Sequence, residues 1–122
     1  MTSSGGDVSA DSDEDNGGIK GKAMVLASLV EYQQGAVVSR EIMRSKAGTV
    51  SVFAFDAGEG LSEHTAPFDA LVQVLEGSVE IVIGGEPLVA ERGESVIMPA
   101  GVPHLLRAPE RFKMLLTLIR GE

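Results

Sequence analysis

Apolar and polar positions along this chain fall into short runs, four to nine residues each, separated by Gly, Pro and charged corners. That rhythm predicts strands, because few segments are long enough to turn through a helix. The candidate strands are Met24 to Leu29, Val37 to Arg44, Thr49 to Asp56, Ala70 to Leu75, Val79 to Ile83, Pro87 to Ala90, Ser95 to Met98, His104 to Arg107 and Phe112 to Arg120. Alternation is clearest at Val79-Glu80-Ile81, and Gly84-Gly85 just beyond Ile83 supplies the positive φ of a tight hairpin. The chain therefore reads as all-β. Residues 1–18 break the pattern: they are Ser, Gly, Asp and Asn with almost no apolar content, which cannot offset the entropy of ordering. We expect a disordered acidic tail over 1–18 and one barrel domain over 19–122.

Composition narrows the partners. The chain has 122 residues and no cysteine, so a single core is expected, without disulfides, thiolate ligands or a Cys nucleophile. Any metal chemistry must use nitrogen and oxygen donors. No apolar run approaches the length of a membrane span, and no signal-like apolar segment opens the chain, so a cytoplasmic protein without membrane contact is expected. The net charge is −8, but five of the eighteen acids lie in the first eighteen residues, leaving thirteen acids against ten bases. With no basic stripe, four Phe, one Tyr and no Trp, nucleic acid is not an expected partner. The alternation of Asp11, Asp13 and Asp15 has the spacing of a calcium loop but lacks the closing glutamate and the early glycine.

Two glycine-histidine motifs carry the chemistry: Gly58-x5-His64-x-Ala66-x3-Ala70-x6-Gly77, and Gly93-x5-Pro99-x-Gly101-x2-His104. Their spacing resembles the paired motifs of the cupin superfamily, which implies a double-stranded β-helix (jelly-roll) barrel. The resemblance also implies ligand positions at 64, 66, 70 and 104, where the family usually has His, His, Glu and His. This chain keeps His64 and His104, its only histidines, and has Ala66 and Ala70 at the other two. Ala108 replaces the usual Asn.

On a strand, side chains two apart share a face, so His64 and position 66 are expected to point inward, with His104 completing the cluster from the opposite wall. Two imidazoles suit Fe, Mn, Ni, Cu or Zn, and a third donor is needed for firm binding. Asp69, rotated inward by a bulge beside Pro67, is the first candidate. Gln73, polar within Leu71-Val72-Gln73-Val74-Leu75, is the second, although parity with an inward position 70 sends it outward into a structural role. Glu63 is expected to face solvent, and Met98 and Met114 to fill the core.

Two functional classes follow. One is a metal-dependent enzyme of dioxygenase or isomerase type acting on a small organic substrate. The other is a non-catalytic cupin that binds or senses a small molecule without metal. A homodimer paired through the apolar terminal strands is expected, since unpaired edges invite association.

Overall fold

The computed structural model describes residues 18–120. The expected tail, with its Asp11 to Asp15 alternation, lies outside the described residues apart from Gly18. Nine strands form: β1 (Val37–Ser45), β2 (Gly48–Phe55), β3 (Gly60–His64), β4 (Asp69–Glu76), β5 (Ser78–Ile83), β6 (Glu86–Glu91), β7 (Ser95–Met98), β8 (His104–Arg107) and β9 (Phe112–Ile119). They make a five-stranded sheet in the order β1-β2-β9-β4-β7 and a four-stranded sheet in the order β3-β8-β5-β6. Every pairing is antiparallel.

The strand pattern leaves one face of each sheet apolar, and these two faces meet to form the barrel interior. Val72, Val74, Val79, Ile81, Leu106, Phe112 and Met114 are buried there, with Phe55 and Phe112 stacked at 4.4 Å between ring centroids. A second cluster lies outside the barrel. Ile19, Leu26, Leu29, Val30 and Tyr32 pack over Ile42, Val52, Ala54, Leu75 and Leu115 on the outer face of the five-stranded sheet.

That strap corrects two expectations. Met24 to Leu29 is not a strand: Leu26–Leu29 form one 3-10 turn. In that turn Leu26 and Leu29 are three apart and align on one side, so both reach the sheet. Nor is the final strand an edge, because β9 pairs with β2 on one side and β4 on the other. The apolar run at its end reflects a central position, buried by neighbours on both flanks.

Lys113 and Tyr32 fasten the strap. The buried Lys113 Nζ donates to Ala27 O at 2.6 Å, and the Tyr32 hydroxyl donates to Glu76 Oε1 at 2.8 Å. Lys113 and Arg111 sit 4.9 and 5.1 Å from the Tyr32 ring centroid. Burial first, then the hydrogen bond to Glu76, pushes the Tyr32 hydroxyl pKa upward. A raised pKa means that the folded state holds the phenolic proton more tightly. The resulting stability is complete below the ordinary tyrosine pKa of about 10 and is lost as the pH climbs above it. Tyr32 is the only tyrosine, so phenolate absorbance isolates it. We expect its titration to begin above pH ~10, coinciding with strap release, and Tyr32→Phe to remove this alkaline phase. Ordinary titration near the free-tyrosine value in the folded protein would contradict the strap contact.

Candidate metal centre

His64 ends β3 and His104 opens β8, and these strands pair, so the two imidazoles are cross-strand partners. Strict alternation would prevent this. Leu61 packs into the core opposite Leu106, and three residues further along a regular strand His64 would fall on the outer face. A register shift between Leu61 and His64 inserts one residue into β3 and turns His64 toward His104, although His64, unlike His104, stays exposed. The histidines therefore come from neighbouring strands of one sheet, not from opposite walls. Position 66 does not share His64's strand either: β3 stops at His64, and Ala66 lies in the loop before β4.

Both rings are held at Nδ1. His64 Nδ1 lies 2.8 Å from Ser62 O, and His104 Nδ1 lies 3.2 Å from Val102 O. A carbonyl oxygen only accepts, so each Nδ1 carries the hydrogen and each neutral ring presents a bare Nε2 lone pair. These two Nε2 atoms meet at 3.2 Å, with the rings 72° apart. His104 is 4% exposed. Burial pushes its pKa below the usual histidine value; the Val102 carbonyl opposes this, and neighbouring His64 adds to it. Protonating His104 is therefore disfavoured.

Two facing acceptors repel unless a cation joins them. Two nitrogens bound at 2.0–2.1 Å to a tetrahedral ion are separated by about 3.3 Å, close to the 3.2 Å found here. The imidazole pair thus fits two adjacent positions on one divalent ion.

The third place is not filled from the expected residues. Among the described residues, no group of three His, Cys, Asp or Glu side chains converges. Asp69 Oδ1 accepts the Ala100 N–H at 2.8 Å. Its carboxylate secures the turn leading to His104, together with the Gly101 N–H to Ala66 O bond at 2.8 Å. Gln73 pairs with Leu115 and Ser95 on β4, between the inward Val72 and Val74, and so faces outward as parity requires. Glu63 is exposed, and Met98 and Met114 are buried in the core. Ala70 and Ala108 are also buried in that core, so methyl groups stand within the packing at one of the four expected ligand positions and at the position of the usual Asn.

Asp69 thus acts on the turn. Asp69→Asn, which keeps the acceptor oxygen, is expected to leave divalent-ion affinity within about threefold, while Asp69→Ala costs about 1 kcal/mol of stability through the unpaired Ala100 N–H. A tenfold or greater loss of ion affinity in Asp69→Asn would return the carboxylate to the ligand set.

Fold and histidine pair together define a small antiparallel barrel with an imidazole pair on one of its sheets. A family model described as Cupin domain matches residues 51–119, more than half of the chain, and the chain belongs to the cupin family. Among solved structures, a conserved protein of unknown function from Streptococcus pyogenes is 35% identical with a TM-score of 0.80, covering 84% of this chain and 90% of that one. A cupin 2 conserved barrel domain protein from Leptotrichia buccalis is 40% identical with a TM-score of 0.75; the match covers 77% of this chain and 46% of that one. A mutant of salicylate 1,2-dioxygenase from Pseudoaminobacter salicylatoxidans shares the fold at 20% identity and a TM-score of 0.62, over 68% of this chain and 26% of that one. No curated protein matches.

Proposed function

We propose that this cupin binds a divalent transition-metal ion, one of Fe, Mn, Ni, Cu or Zn, through His64 and His104, and acts on a small organic substrate. The observation that carries this reading is the 3.2 Å approach of two Nε2 atoms whose Nδ1 atoms are both committed to carbonyl oxygens. Neutral imidazoles suit these ions, and two of them leave coordination positions for solvent and substrate. When bound, such an ion polarises a substrate oxygen as a Lewis acid.

The chain's own contribution is orientation. The Ser62 and Val102 carbonyls fix the rings, and the turn from Pro99 to Pro103 is held by Ala66 and Asp69. Ile83 pairs with His104 within the four-stranded sheet, and Met98 and Leu118 pair with Ala70 in the five-stranded one; all four of these apolar side chains belong to the barrel interior. A dioxygenase or isomerase activity is the enzymatic form of this reading. One observation favours a non-catalytic binder or sensor instead: among the described residues no third His, Cys, Asp or Glu joins the pair. Bound metal with turnover separates the first form from bound ligand without metal in the second. Because the chain has two histidines, nitrogen NMR reads the site directly. Both Nε2 signals should respond to one equivalent of Zn while both Nδ1–H signals persist. A response from one ring or neither would overturn shared coordination.

As for location, no helix among the described residues is long and apolar enough to cross a membrane; a cytoplasmic protein is our proposal.

A further inference from the structure

The inner face of the five-stranded sheet changes character toward its β1 edge. Residues paired across antiparallel strands share a face, and Leu116 and Leu118 of β9 pack into the barrel interior. Leu118 pairs with Thr49 and Thr49 with Arg44; Leu116 pairs with Ser51 and Ser51 with Glu41. The two rows thus pass from leucine to a hydroxyl and then to a charge, all on the inward side. Thr49, Ser51 and Glu41 are half-buried. Arg44 clasps Glu41 with both ends of its fork, Nε to Oε1 at 2.8 Å and Nη2 to Oε2 at 3.1 Å.

This polar stretch faces the histidine pair. β2 ends at Phe55 and β3 begins at Gly60 in the opposing sheet, with the Glu59 N–H bonded to Asp56 O at 3.1 Å in the turn between them. Counting equally back along both strands from that turn sets His64 level with Ser51. His104 shares the inward face of β8 with Leu106, two residues on, which is buried in the interior. Facing sheets stand about 10 Å apart, and the short side chains of Thr49 and Ser51 leave a gap that a ligand of a few heavy atoms bridges.

We propose that Thr49 and Ser51, with Arg44 at the rim, select a small carboxylic acid bearing a second oxygen on the neighbouring carbon. The proposal rests on the metal reading of the histidine pair. Two neutral imidazoles leave a divalent ion with its full charge, since among the described residues no Asp or Glu joins them, and a tetrahedral ion keeps two places open. An acid of this class brings the missing negative charge and fills both places with oxygen. Its outer carboxylate oxygen then accepts from the hydroxyls of Thr49 and Ser51. Arg44 commits two of its five N–H groups to Glu41, so the others can reach the same carboxylate. The Glu41–Arg44 pair is balanced in charge, so the preference for an acid comes from the ion, and the hydroxyls determine how the acid is held.

Calorimetric titration tests this, first with Zn alone and then with lactate added to the Zn-loaded protein. Propionate, which lacks the second oxygen, and propane-1,2-diol, which lacks the carboxylate, should each bind at least tenfold more weakly than lactate. Thr49→Val combined with Ser51→Ala should lower lactate affinity about tenfold or more and leave Zn affinity within about threefold. Wild-type protein that takes up no Zn would overturn the metal reading and this proposal with it. With Zn bound, lactate held no more tightly than propionate or the diol would overturn the substrate class alone. A double variant that keeps wild-type lactate affinity, or whose Zn affinity falls as far as its lactate affinity, would overturn the role of the two hydroxyls.

Discussion

His104→Ala and His64→Ala are each expected to abolish stoichiometric binding of a divalent ion. The described residues bring no third His, Cys, Asp or Glu donor to the pair, so either substitution leaves one imidazole and solvent. Affinity should fall by more than the roughly 10–100-fold typical of losing an outer-shell partner, and stoichiometric binding should disappear. Folding should survive in both. Each ring makes one hydrogen bond to a nearby backbone carbonyl, at Ser62 or Val102, so the change in stability is about 1 kcal/mol. Calorimetric titration with Zn separates the two effects. A metal-free pocket would show the stability change with no binding to lose.

The second large effect belongs to a motif glycine remote from the histidine pair. Gly77 has φ +71, and a Cβ built there would overlap the carbonyl oxygen of Arg111 and lie 2.9 Å from the Phe112 Cβ. Phe112 is fully buried against Phe55, so relief requires moving either backbone or core. Gly77→Ala is expected to cost on the order of 3 kcal/mol, the sum of left-handed strain and overpacking. Gly93 provides the control. Its φ is +89 but a Cβ there meets nothing within 4 Å, so Gly93→Ala should cost only the conformational term, about 1 kcal/mol. Denaturant unfolding measures both. Equal costs would mean that backbone conformation alone, and not the close approach to Arg111, keeps Gly77 in the motif.

The contrast between Gly77 and Gly93 shows why the fold was legible in the sequence. Motif glycines mark corners that need a positive φ, to which Gly77 adds a close approach to Arg111 that no local signal reveals, and alternation within Val79–Ile83 assigns its faces without tertiary information. The segment Met24–Leu29 misleads because its apolar residues serve a strap laid on a sheet, where spacing by three does the work that spacing by two does in a strand. Terminal strand β9 misleads for a different reason: chain position says nothing of sheet position, and β9 occupies the centre.

At the site, both histidines could be picked out because they stand alone at motif positions. Their mutual arrangement could not, since it depends on one inserted residue between Leu61 and His64 that no residue type announces. Asp69 was a plausible donor by proximity in sequence; its hydrogen bond to Ala100 shows that the carboxylate shapes the turn before His104.

Elemental analysis of the full chain, purified without a histidine tag and incubated in turn with Fe, Mn, Ni, Cu and Zn, tests shared coordination by His64 and His104 most directly. One equivalent of at least one of these ions should remain after exhaustive dialysis of the wild type and be absent from His64→Ala and His104→Ala. Wild-type protein that stays free of all five ions would contradict the metal centre.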